Sequence, residues 1–146
     1  MNWQIISIGK PAFAWIRDGV REYEGRLRHY ARVEMRVLPI GPPAKVAERT
    51  LETSEGTLRI VLDERGKALS SQGLAKWIER QHLSGVKRVS VLIGGADGHD
   101  ASVRTAADEL WSLSGLTLQH ELALVLFLEQ LYRAHTILKG EPYHRD

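Results

Sequence analysis

The chain has 146 residues, with 20 Lys+Arg against 18 Asp+Glu and no cysteine. That length makes a single domain over residues 1–146, and 43% hydrophobic residues suffice to build its core. The lack of cysteine excludes a disulfide framework, a thiol nucleophile and Cys-ligated zinc or iron–sulfur sites. The MNWQIISIGK start lacks the basic and apolar regions of a signal peptide, and no stretch approaches the ~20 apolar residues that span a bilayer. A soluble, cytoplasmic protein with no membrane partner is expected.

In chain order, Trp3–Ile8 is a short apolar run ending at Gly9-Lys10-Pro11, which predicts a buried first strand turning into a helix over residues 12–31. Val33, Met35 and Val37 alternate with Glu34 and Arg36 as a second strand, stopped by Gly41-Pro42-Pro43. A short polar helix is predicted from Ala44 to about Ser54. Thr57–Asp63 reads as a central strand and Glu64–Lys67 as a turn. Ser70 or Ser71 caps a helix bearing Leu74, Ile78 and Leu83, ended by Gly85. Val86–Ile93 is the next strand and runs into Gly94-Gly95-Ala96-Asp97-Gly98; Asp100 then caps a helix predicted to reach Trp111. The last helix, Glu121–Leu138, is apolar on more than one face, so it packs on two sides, within the domain or against a second copy. This alternation predicts an α/β fold with a mostly parallel sheet flanked by helices.

Charge is uneven. Residues 1–50 hold nine Lys/Arg against five Asp/Glu, and residues 51–146 hold eleven against thirteen. On the predicted first helix, Arg17, Arg21, Arg28 and Arg32 fall within about 60° of each other, the footprint of a polyphosphate such as RNA or of a solvated face. Phosphate-loop, GxGxxG, GxSxG and HExxH patterns are all missing, which argues against nucleotide hydrolases, Rossmann dehydrogenases, α/β-hydrolases and zinc peptidases. No metal site is expected.

The strings VLIGGADG, WSLSGLTLQHELALVLFLEQLYRA and GEPYHRD, in this order, with the LDERGK turn before them, resemble the ribosomal RNA large subunit methyltransferase H family. The resemblance implies the SPOUT class: an α/β domain whose C-terminal part forms a trefoil knot holding S-adenosylmethionine, working as a homodimer. It implies N3-methylation of a pseudouridine in large-subunit ribosomal RNA, on free RNA or the ribosome. By matching position, the cofactor would be held by Leu62, Gly94, Gly95 and the run Ser114, Gly115, Leu116, Thr117, Leu118 and Gln119. Where the family commonly reads Gly-Gly-Pro-Glu-Gly, this chain has Gly94-Gly95-Ala96-Asp97-Gly98.

Methyl transfer from a sulfonium to a ring nitrogen needs alignment and removal of the nitrogen's proton, and no metal. The tail residues Tyr143, His144 and Arg145 are the catalytic candidates, with Arg133 beside them as an RNA contact together with Arg17, Arg21, Arg28 and Arg32. Two other readings fit the same residues: a knotted methyltransferase with another RNA target, and a non-catalytic RNA-binding or ribosome-assembly factor.

Overall fold

The computed structural model describes residues 1–145; Asp146, the last residue of the GEPYHRD string, lies outside the described residues. Strands and helices alternate along the chain: β1 (Asn2–Ile8), α1 (Ala14–Leu27), β2 (Arg32–Leu38), α2 (Pro43–Thr53), β3 (Leu58–Ala68), α3 (Ser71–Leu83), β4 (Arg88–Ile93), α4 (Ala101–Thr105), β5 (Glu109–Ser112) and α5 (His120–Lys139). The strands form one parallel sheet in the order β2-β1-β4-β3-β5. The α/β expectation therefore holds. β1 and β4 are buried on both faces, which is why their sequences are continuous apolar runs, whereas β2 alternates as an edge strand does.

Helices cover both faces. Trp3, Ile5, Ile60, Val89 and Val91 face a core completed by Leu27, Leu74, Trp77, Phe127, Leu128 and Leu131. The smaller core on the other face joins Ile6, Val61 and Leu92 to Ala47 of α2 and Val103 of α4. α5 packs against both α1 and α3, so its apolar excess is largely consumed inside the chain.

Three predicted boundaries differ from the structure. The first helix ends at Leu27 rather than near residue 31, and Arg32 opens β2. The chain needs the intervening residues to turn back and pair β2 with β1 in register, Asn2 opposite Arg32.

The helix capped by Asp100 stops at Thr105 instead of reaching Trp111, and Glu109–Ser112 is the edge strand β5. Tertiary contacts override the helical pattern. Asp108 accepts a hydrogen bond from the Arg59 amide at 2.7 Å and returns its own amide to the Arg59 carbonyl at 2.9 Å. Trp111 is buried edge-on to Trp77 at 4.8 Å, and Glu109 accepts from both indole N–H groups.

The predicted turn at Glu64–Lys67 lies inside β3. Leu62 and Lys67 both pair with Trp111, so the residues between them bulge from the ladder. Gly66 makes this possible: a Cβ there would stand 2.6 Å from the backbone of Leu110 and Trp111.

Candidate functional site

The carboxyl ends of β3 and β4 and the segment joining β5 to α5 converge on one cleft of about 770 Å³, within the range of small-molecule sites. This is the edge of a parallel sheet where ligands bind. Leu62, Ile93, Leu113, Leu116 and Leu118 give it apolar walls.

The glycine loop forms one rim. Gly98 has φ 76° and donates its amide to the Gly95 carbonyl at 3.0 Å, a conformation that favours glycine. A Cβ on Gly94 would lie 2.9 Å from the Gly98 carbonyl carbon, so the turn closes only with hydrogen at that position. The facing rim is braced by its own hydroxyls. Ser112 Oγ donates to the Ser114 carbonyl and Ser114 Oγ accepts from the Leu116 amide, each at 2.9 Å. Thr117 Oγ1 reaches Glu64 at 3.2 Å, and the Gln119 side chain caps α5 by accepting from the Leu122 amide at 3.0 Å.

A polar cluster lies at the cleft's base. The Asp63 side chain is 6% exposed and accepts from the Arg65 amide at 2.9 Å, with Arg65 Nη1 at 3.3 Å and Arg104 Nη1 at 3.8 Å. Arg104 donates to the His99 carbonyl at 2.6 Å, and His99 Nε2 donates to the Leu92 carbonyl at 3.0 Å. Burial lowers the His99 pKa below the ordinary histidine value, outweighing the Leu92 carbonyl and Asp63, which raise it. The imidazole is therefore neutral at neutral pH.

Leu62, Gly94, Gly95, Ser114, Leu116, Thr117, Leu118 and Gln119 all line this cleft, and Gly115 does not. Asp63, Glu64, Arg65, His99, Arg104 and His120 join them there. The LDERGK string and the histidine after the glycine loop were the signals for these, but nothing in their spacing foretells that Asp63 and Arg104 meet.

The tail lies elsewhere. Tyr143 donates to Glu129 Oε1 at 3.0 Å and packs edge-on against Tyr132 at 4.7 Å. Arg133 lies 4.6 Å over the Tyr143 ring, pairs with Glu129 at 2.6 Å and points Nη1 at His144 Nδ1, 3.2 Å away. Tyr30 hydrogen-bonds Glu141, holding the chain just before Tyr143. Burial, with Tyr23 and Glu129 adding to it, pushes the Tyr143 phenol well above its ordinary value. Arg145 is exposed. Glu129 and Arg133 lie about 14 and 20 Å of helix rise beyond His120, and among the described residues none of the tail lines the cleft of its own chain.

The arginine stripe also breaks up. Arg17 holds the Pro11 and Ala12 carbonyls at 2.9 and 3.0 Å, and Arg21 pairs with Asp18 at 2.6 Å. Arg28 sits at the end of α1, and Arg32 is on the sheet. No group of three or more metal-ligating side chains occurs among the described residues, and no helix is long and apolar enough to cross a membrane.

Compared with known proteins, residues 1–144 match the family model described as Predicted SPOUT methyltransferase. The chain belongs to the SPOUT methyltransferase family. It is 43% identical over 145 residues to the ribosomal RNA large subunit methyltransferase H of Thermus thermophilus, covering 99% of each chain, and 41% identical to that of Deinococcus radiodurans, again covering 99% of each. Among solved structures, the SPOUT fold is shared with the tRNA (m1G37) methyltransferase from Aquifex aeolicus (TM-score 0.57, 16% identity, 100% of this chain and 76% of that one). It is also shared with the methyltransferase AviRb from Streptomyces viridochromogenes, solved with its cofactor AdoMet (TM-score 0.51, 15% identity, 95% of this chain and 58% of that one).

Proposed function

We propose that the chain is an S-adenosylmethionine-dependent methyltransferase that methylates N3 of a pseudouridine in large-subunit ribosomal RNA, acting in the cytoplasm as a homodimer. The observation that carries this reading is the convergence of Leu62, Gly94, Gly95 and Ser114 to Gln119, Gly115 excepted, on one cleft, in a chain so similar to the large-subunit methyltransferases along its whole length.

The cleft fits the cofactor. Gly94 and Gly95 line the cleft with main chain rather than side chains, which suits an adenine edge, while Leu62, Leu116 and Leu118 supply apolar contact for its faces. Bound there, S-adenosylmethionine supplies a methyl group activated by its sulfonium. The chain's part is to exclude water, align the acceptor and take up the N3 proton. Tyr143 is held protonated by burial and donates to Glu129, which suits it to position a base rather than to accept a proton. His144 is the proton acceptor in this reading. Arg133 and Arg145 favour the anionic form of the base by charge.

Because the tail rests away from its own cleft, a second copy is what brings tail and cofactor together. The surface for it is at the N-terminal ends of α1 and α5. Phe13 and Trp15 stack at 5.9 Å with 45% and 60% of their surfaces exposed, beside Leu122 at 37%. The trefoil threading expected of the SPOUT class is part of this reading, although such topologies are rare.

The test is to incubate the protein with ribosomes and S-adenosylmethionine and analyse the ribosomal nucleosides by mass spectrometry. One new N3-methylpseudouridine per large subunit is expected. No methylation of ribosomes, with cofactor bound, favours the non-catalytic reading; a methyl group on transfer RNA instead favours another target.

A further inference from the structure

At the edge of the sheet opposite the cleft, the fold assembles a basic site that helix periodicity does not foretell. Asn2 is in register with Arg32 on one side and Arg88 on the other. Residues in register across parallel strands project from the same face, so the three side chains form a row, the two arginine Cα atoms about 10 Å apart. They rim a second, polar cleft of about 200 Å³, with Gln4, Glu34 and Thr57 among its other lining residues.

The floor of this cleft is already satisfied. Gln4 donates to the Thr53 carbonyl at 2.9 Å and to Ser90 Oγ at 3.0 Å, and Thr57 Oγ1 lies 2.7 Å from Ser90 Oγ. Glu34, the one acid among the lining residues, is paired with Arg36 at 3.5 Å. Arg32 and Arg88 make no hydrogen bond or ion pair with any described side chain. Two exposed guanidiniums beside a polar cleft, without a carboxylate of their own, match phosphate oxygens in shape and charge. Lys87 precedes Arg88 in the chain and is also exposed, and the α1 C-terminus, with Arg28, leads toward the same edge.

We propose that Arg32 and Arg88, with Asn2 between them, bind the phosphodiester backbone of the RNA substrate at a point remote from the methyl-transfer cleft. The inference rests on the RNA methyltransferase reading. β1 is seven residues long, about 23 Å, so the contact lies a strand's length from the reacting base and adds affinity without touching the cofactor.

The experiment measures binding of a fluorescein-labelled single-stranded oligouridylate by anisotropy across a salt series, for the wild type, Arg32→Gln/Arg88→Gln and a charge-matched control, Lys45→Gln/Lys76→Gln. Oligouridylate isolates backbone contact from base recognition. The Arg32/Arg88 variant is expected to lose about tenfold or more in affinity at low salt, with the slope of log affinity against log salt reduced by about 0.7 for each arginine. The control variant should follow the wild type, and calorimetric S-adenosylmethionine affinity should stay unchanged in both. Equal slopes for the Arg32/Arg88 variant and the wild type, an equal loss in the control, or no salt-dependent binding by the wild type overturns the proposal. Methylation of ribosomes by the wild type, assayed in parallel, separates that failure from failure of the enzymatic reading.

Discussion

Gly66 and Gly94 carry constraints that no other residue type satisfies where they stand. A Cβ on Gly66 meets main-chain atoms of Leu110 and Trp111 at 2.6 Å, and backbone gives way less readily than a side chain. Gly66→Ala is expected to cost about 3 kcal/mol, read as a lower urea midpoint; an unchanged midpoint would show that β3 and β5 do not approach so closely. Two half-buried histidines set a pH dependence. His99 and His135 both have lowered pKa values, chiefly through burial. The unfolded chain takes up protons near pH 6.5 while the folded one resists. The stability these groups contribute is thus present above that pH and lost as the pH falls through and below it. Urea midpoints should drop between about pH 7.5 and 5.5, and drop less in His99→Gln; a flat wild-type profile would contradict the lowered pKa of both rings.

At the level of elements, the sequence is legible where local pattern and tertiary demand agree. β1, β4, α3 and α5 fall close to where apolar runs and capping residues put them, with Ser70 accepting from the Gly73 amide and Gly140 ending α5 at φ 69°. It misleads where long-range pairing decides. Val103, Ala107 and Leu110 read as one helical face, yet Leu110 and Trp111 belong to an edge strand, because Trp111 finds Trp77 and β3 there. The same holds for the site. The glycine loop and Ser114 to Gln119 are visible through the family resemblance, whereas the Asp63, Arg104 and His99 cluster depends on how the ends of β3 and β4 are set side by side. Likewise the arginine stripe assumed a helix that continues to residue 31. Its end at Leu27 moves Arg32 to the sheet, where it shares a row with Arg88 across Asn2. Trp111→Ala should therefore cost about 3–5 kcal/mol as a buried aromatic, far more than an exposed helix C-terminus would, and a loss below about 1 kcal/mol would return residues 109–112 to the helix.

For the molecule as a whole, the cleft proposed for the cofactor and the tail occupy different parts of one chain, and an exposed apolar surface is available to join two chains. Light scattering should give the mass of a dimer, and mixing two defective proteins tests the arrangement functionally. Gly94→Val damages the cleft and His144→Ala damages the tail; each alone should be inactive on ribosomes. Equal mixing with subunit exchange should restore about a quarter of the wild-type sites, since half the dimers are hybrids and each has one intact pair. No recovery would mean that tail and cleft act within one chain.

All of this depends on the cleft being the cofactor site, and the most direct measurement is calorimetric titration of S-adenosylmethionine into the wild type and into Gly94→Val. Saturable micromolar binding to the wild type, one cofactor per cleft at most, and none to the folded variant is the predicted result. Equal binding to both proteins would place the cofactor elsewhere and contradict the account.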